Sequence, residues 1–176
     1  MKVRRFRQDY RETASSLHKH IGEVLRNSPL FRHHKIYQEY PVDMIDPKVS
    51  GRYKFDWVVL DLMLVIEVHG EQHYRPVDFG GQGADVAEAS YQEIKYRDRI
   101  KKGVALDAGF SYIEVPYHEI DQVDDEYLWK KYQANPPIFL PSPDPPEITT
   151  KKLEILDRMK QYRREQYKKS KDFKKG

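Results

Sequence analysis

Tyr53-Lys54-Phe55-Asp56-Trp57-Val58-Val59-Leu60-Asp61-Leu62-Met63-Leu64-Val65-Ile66-Glu67-Val68-His69 carries the densest β signal in the 176-residue chain. Aromatic and branched residues fill it, and Asp61-Leu62 interrupts it where a two-residue turn would close a hairpin. That turn sets Leu60 opposite Met63, and the same register sets Asp56 opposite Glu67 and Lys54 opposite His69. One face then holds Lys54, Asp56, Val58 and Leu60 with Met63, Val65, Glu67 and His69. The other holds Trp57, Val59, Leu64, Ile66 and Val68. Both faces are largely apolar, so the hairpin is expected at the centre of a covered sheet. The exception is the open end of the first face, where four ionisable side chains converge.

Elements of other periodicity flank this hairpin. Upstream, Leu17, Ile21, Val24 and Leu25 recur at helical spacing, which predicts a helix from about Asp9 or Thr13 to Asn27, with Asp9 and Glu12 at capping-box spacing. Residues 34 to 42 read as a strand, followed by a turn near Asp46-Pro47 and Ser50-Gly51. Downstream, residues 69 to 83 are too rich in glycine and polar groups for regular structure and read as a loop beside the ionisable cluster. A second helix is expected from near Ser90 or earlier to a C-terminal cap at Gly109, and Phe110 to Pro116 reads as a short strand. Helix, three strands, helix, strand describes an α/β fold with a central mixed sheet flanked by helices.

Six prolines between residues 135 and 147 mark a stiff, extended connector over residues 135 to 148. It separates a core of residues 1 to 134, with its basic N-terminal arm, from residues 149 to 176. That tail has Leu153, Ile155, Leu156, Met159 and Tyr162 along one side of an expected helix. It contains 11 Lys and Arg against 4 Asp and Glu, a net of +7, whereas residues 1 to 148 carry a net of −4. Charge runs are usually just solvated, but behind a stiff connector the tail could equally meet a polyanion such as DNA, through Arg163, Arg164, Lys168 and Lys169, or dock on another protein. The chain has no cysteine, which excludes disulfides, thiolate nucleophiles and Cys-ligated zinc. No apolar run reaches the length of a membrane span and the N-terminus lacks a signal-peptide core, so a soluble, cytoplasmic protein is expected.

Two carboxylates facing each other across an apolar hairpin repel, and a divalent cation is their natural compensation. Asp56 and Glu67 offer hard oxygen ligands, and the Val68 carbonyl could add a third, a set suited to Mg²⁺ or Mn²⁺. Such an ion polarises a phosphodiester and acidifies a bound water, which His69 would orient or deprotonate. Lys54 would flank the same water, while Lys95, Arg97 and Lys101 are candidates for phosphate contacts. Glu71 and His73 could touch phosphate or a second metal, or merely shape the loop. Asp98 and Lys101 have the spacing of a surface ion pair. Glu39 joins the site only if its side chain turns that way, and His33-His34 reads as a polar entry to a strand.

Asp56, ten intervening residues and then Glu67-Val68-His69 resembles the restriction-endonuclease-like nucleases, the PD-(D/E)XK superfamily. Ile66-Glu67-Val68-His69-Gly70-Glu71-Gln72-His73-Tyr74, with Asp98 on the following helix, is most similar to the branch of very-short-patch-repair endonucleases and related phage homing endonucleases. The resemblance covers roughly residues 12 to 118. It implies a restriction-endonuclease-like core and a metal-dependent endonuclease acting on DNA, with Asp56 at the metal, His69 on the next strand and Asp98 assisting. Phe55 replaces the Pro of the superfamily pattern, and His69 its Lys. The first-helix Glu of the branch falls near His18 or Glu23, and the zinc of the repair enzymes has no counterpart without cysteine. A nuclease selective for branched DNA or RNA, or a nucleic-acid-binding or assembly protein without activity, fits the same pattern.

Overall fold

The computed structural model describes residues 15–138, together with Ile155 and Arg158. Its centre is a four-stranded mixed sheet in the order β1 (Ile36–Pro41), β2 (Lys54–Val59), β3 (Leu64–His69), β4 (Ser111–Pro116). The first three strands are antiparallel neighbours and β4 is parallel to β3, with α2 (Ala84–Asp107) in the crossover. Helix α1 (Ser16–Asn27) precedes the sheet and α3 (Asp125–Ala134) follows it. The expected α/β architecture, a mixed sheet with flanking helices, is the observed one.

The hairpin register is the predicted one: Trp57 pairs with Ile66, Val58 with Val65 and Val59 with Leu64. Its turn differs. Leu60–Leu62 form a 3-10 turn closed by Met63 at φ 47°, so Leu60 and Met63 are part of the turn rather than a ladder pair. Asp61 explains the wider turn, because its carboxylate accepts from the Lys35 amide (2.9 Å) and meets His34 Nδ1 at 2.8 Å, bracing the entry to β1.

The two faces bury separate layers. Val58, Met63 and Val65 join Tyr40, Phe55, Tyr112 and, from α2, Val104 and Ala105. Trp57, Val59, Leu64 and Ile66 join Leu17, Ile21 and Leu25 of α1 and Leu128 and Tyr132 of α3. Helix α2 therefore covers one face while α1 and α3 cover the other. Ile155 is helical and buried in the α2-side layer, and Arg158 Nη1 donates to the Ile45 carbonyl at 3.3 Å. The rest of the expected tail helix lies outside the described residues, with most of the proline-rich connector and Arg163, Arg164, Lys168 and Lys169.

Helix α1 is capped by Ser15, whose hydroxyl accepts from the His18 amide (3.1 Å), and begins at Ser16; Asp9, Glu12 and Thr13 lie outside the described residues. Helix α2 begins well before Ser90: Asp78 accepts from the Gln82 and Gly83 amides (2.9 Å each), and Gly83 at φ 102° opens into the helix. The glycine-rich loop contains a 3-10 turn at Glu71–His73. At the other end Gly109 caps α2 as expected, its amide bonding Leu106 while that of Phe110 bonds Ala105, a Schellman pattern. Helix α3 has no counterpart in the pattern reading. Among the described residues no helix is long and apolar enough to cross a membrane.

Candidate active site

The hairpin ladder stops at Trp57 and Ile66, and beyond it the strands are joined by side chains. Asp56 Oδ2 accepts from the Val68 amide (2.8 Å), and Glu67 Oε1 accepts from the Asp56 amide (3.2 Å). The carboxylates thus replace main-chain partners where the strands part. In an extended strand the amide and carbonyl of one residue point to the same side, so the Val68 carbonyl also faces β2. The gap opens into a cleft of about 310 Å³ lined by Asp56, Glu67, Val68, His73, Asp98 and Lys101 on its chemical wall. Arg52, Lys54 and Arg97 lie along it with His18 and Gln72.

Glu67 is 1% exposed. Burial, and then the charge of Asp56, push its carboxyl up to about 8, against the opposing pull of Lys101. Lys101 Nζ donates to Glu67 Oε2 and to the Lys54 carbonyl (3.3 Å). Burial lowers the affinity of this ammonium for its proton, but Glu67 and Asp56 outweigh burial and hold it charged. Lys101 is therefore an internal cation of the cleft, and its surface pairing with Asp98 does not form. Lys54 is not opposite His69; it pairs along β1 with Pro41, and its ammonium meets Glu39 Oε2 at 3.2 Å. Glu39, at φ 51°, is thereby engaged away from the carboxylate pair.

The donor set fits a hard dication. Asp56 and Glu67 together carry two negative charges when ionised, and Lys101 offsets one. Burial is the larger cause of the raised Glu67 pKa and the Asp56 charge the second, and an ion bound by oxygens would offset both.

Asp98 faces the imidazoles instead. His73 Nδ1 lies 2.6 Å from Asp98 Oδ2, and His69 Nε2 lies 4.0 Å from the same oxygen. The rings of His69 and His73 stack at 4.3 Å, 8° from parallel. Burial and then the neighbouring His73 hold His69 below the usual imidazole range. Burial alone would raise Asp98, but the His73 hydrogen bond and the charges of His73, His69 and Lys101 leave it below the usual carboxylate value. His69 is behind the cleft wall rather than on it; the imidazoles that line the cleft are His73 and, from α1, His18. Glu71 is held by Arg75 on the loop. Lys95 is exposed over the Tyr91 ring (5.1 Å) and does not line the cleft, whereas Arg97 does.

His18 enters from α1. It stacks on Trp57 (4.8 Å) and its Nδ1 lies 3.9 Å from Asp56 Oδ1, while Gln38 Nε2 donates to its Nε2 (2.7 Å). The sequence signal for Lys101 was present in the heptad spacing: positions 94, 97, 98, 101, 104 and 105 form one stripe, so a lysine there faces the sheet and needs an acid. Arg52 carries no such signal, since the turn before β2 brings it in. In comparison with known proteins, no family model, no curated protein and no solved structure matches the chain.

Proposed function

We propose that the protein is a metal-dependent endonuclease of restriction-endonuclease-like type that hydrolyses DNA phosphodiester bonds. The observation that carries this reading is the meeting of Asp56, Glu67 and Lys101 at the parted end of a central hairpin, in a cleft also lined by Arg52, Lys54 and Arg97. Mg²⁺ or Mn²⁺ held by Asp56 and Glu67, with the Val68 carbonyl, would supply Lewis acidity toward a phosphate oxygen and a water. Lys101 opposes the burial that holds the proton on Glu67, a bound ion would complete its ionisation, and the ammonium offers positive charge to the phosphate. Arg52, Lys54 and Arg97 seat the phosphates on either side of it. His73, oriented by Asp98, accepts the proton of the attacking water, and His69 fixes the His73 ring by stacking behind it. This gives to His73 the task that the sequence pattern assigned to His69. The basic tail adds sequence-independent phosphate contacts that weaken with salt.

The test is cleavage of plasmid, branched DNA and RNA by the purified full chain with Mg²⁺ or Mn²⁺, alongside Asp56→Asn and Glu67→Gln. Cleavage lost in both variants is the expected result, and the substrate cut best separates linear-DNA, branched-DNA and RNA activity. Equal cleavage by all three proteins would remove the site from the reaction. A second reading, a nucleic-acid-binding or assembly protein without catalysis, draws on the Glu67–Lys101 pair, which already occupies a would-be ligand oxygen. Salt-sensitive DNA binding with no cleavage of any substrate would favour it.

A further inference from the structure

His69 lies only 6% exposed, and its Nε2 has no hydrogen-bond partner among the described residues. A buried ring nitrogen left without a partner costs stability, so its position calls for an explanation. That nitrogen is aimed at Asp98 Oδ2 from 4.0 Å, and His73 Nδ1 approaches the same oxygen at 2.6 Å. One ligand atom from each of the three residues lies within 4.8 Å of the others. Three separate elements supply them: the end of β3, the 3-10 turn after it and the middle of α2.

We propose that His69, His73 and Asp98 form a site for a transition-metal dication of the zinc class, different in donor chemistry from the all-oxygen Asp56–Glu67 pair. Two imidazoles and one carboxylate are the ligands that zinc, cobalt(II) and their neighbours prefer over magnesium. The site stands on these three residues and does not depend on the nuclease reading; an ion bound here takes His73 out of proton transfer, so a loaded site would inhibit the proposed cleavage. Its geometry states what binding requires. Tetrahedral ligands at about 2.1 Å from zinc are about 3.4 Å apart, so the 2.6 Å His73–Asp98 contact opens and the 4.0 Å His69–Asp98 contact closes. A bound ion lies in the plane of each imidazole, and the present rings are parallel, so one ring turns. His73 is the freer of the two, since it sits on a short turn at the cleft wall while His69 is fixed in the sheet. The ion replaces the proton shared by His73 and Asp98, and it gives His69 Nε2 its missing partner. It also ties β3 to α2, so the folded state gains the free energy of binding.

The experiment uses the full chain stripped of metal by a chelator and titrated with Co²⁺. An intense visible absorption that saturates at one equivalent, is displaced by Zn²⁺ and survives excess Mg²⁺ is the expected result. Asp98→Asn and His73→Gln should each weaken Co²⁺ binding at least about tenfold, while Asp56→Asn keeps it, and the melting temperature of the wild type should rise with Zn²⁺. Asp98→Asn preserves shape, so its circular dichroism and melt separate lost binding from lost folding. A Co²⁺ spectrum no different from that of the hydrated ion, or one abolished by Asp56→Asn and untouched by Asp98→Asn, would overturn the site.

Discussion

Glu67 and His69 stand two residues apart on one face of β3, yet their surroundings are opposites. Glu67 is an acid met by a base, Lys101, whereas His69 is a base that points toward an acid, Asp98. The strand offers acid then base; helix α2, which must return antiparallel to β3 because β4 is parallel to it, offers base then acid along the same direction. The charge order of the helix thus complements that of the strand it crosses. The two halves are satisfied differently. The Glu67 half is a buried pair short of one positive charge, and the His69 half is an imidazole pair in which one buried ring nitrogen lacks a hydrogen-bond partner among the described residues. The first deficit suits a hard ion bound by oxygen and the second a softer ion bound by nitrogen.

Asp56→Asn should separate the halves most sharply. Cleavage by the proposed nuclease falls by about 10³-fold, as loss of several kcal/mol of transition-state stabilisation requires, while Co²⁺ binding at the imidazoles is retained. Loss of both together would mean one site rather than two.

Lys101→Met breaks the acid half from the helix side. It should destabilise the metal-free protein by about 3 kcal/mol at pH 9, where Glu67 is ionised, and by less at pH 6, where Glu67 holds its proton. Denaturant unfolding at the two pH values measures this. The sign follows from Glu67 itself. Its carboxyl is raised from 4.5 to about 8 on folding, so its contribution is full below 4.5 and is lost as pH rises through about 8. Between pH 7 and 9, above the titration of the depressed His18 and His69, the metal-free wild type should lose stability and then level off. Glu67→Gln should remove the slope, and saturating Mg²⁺ should flatten it. A wild-type curve that rises over that window would contradict the buried, proton-holding Glu67.

On the imidazole side, His73→Gln should lower cleavage by about 10²-fold while DNA binding is kept, as loss of a general base does. An unchanged cleavage rate would return proton transfer to another group. Ser15→Ala is the smallest change: loss of the N-cap should cost about 1 kcal/mol in thermal stability and loosen His18 at Asp56, with no effect on Co²⁺ binding.

Periodicity settled much of this in advance. The alternation from Trp57 to Val59 and from Leu64 to Val68 assigned the apolar side chains to their faces, though Phe55 packs in the layer of Val58, and the register placed Asp56 against Glu67, because one slip along a strand of period two would have buried the wrong set. Gly109 announced the end of α2. Start signals were less telling: Ser90–Glu93 has capping-box spacing, but the Asp78–Gly83 turn opens α2, and Ser15 caps α1 while Asp9–Glu12 lies outside the described residues. Helix α3 escaped notice because its buried residues, Leu128 and Tyr132, are too few to stand out from a polar stretch.

The chain alone determined the sheet's central hairpin, the ionisable cluster at its open end and the absence of any thiol chemistry, since each follows from residue type and local spacing. Only the tertiary structure decided the partners. That Lys101 belongs to Glu67 and Asp98 to the histidines depends on the line along which α2 crosses β3. That His73 rather than His69 lines the cleft depends on where the strand ends and the 3-10 turn begins. Residues separated by 25 to 34 positions in the chain are brought together there by packing, and no local period records it.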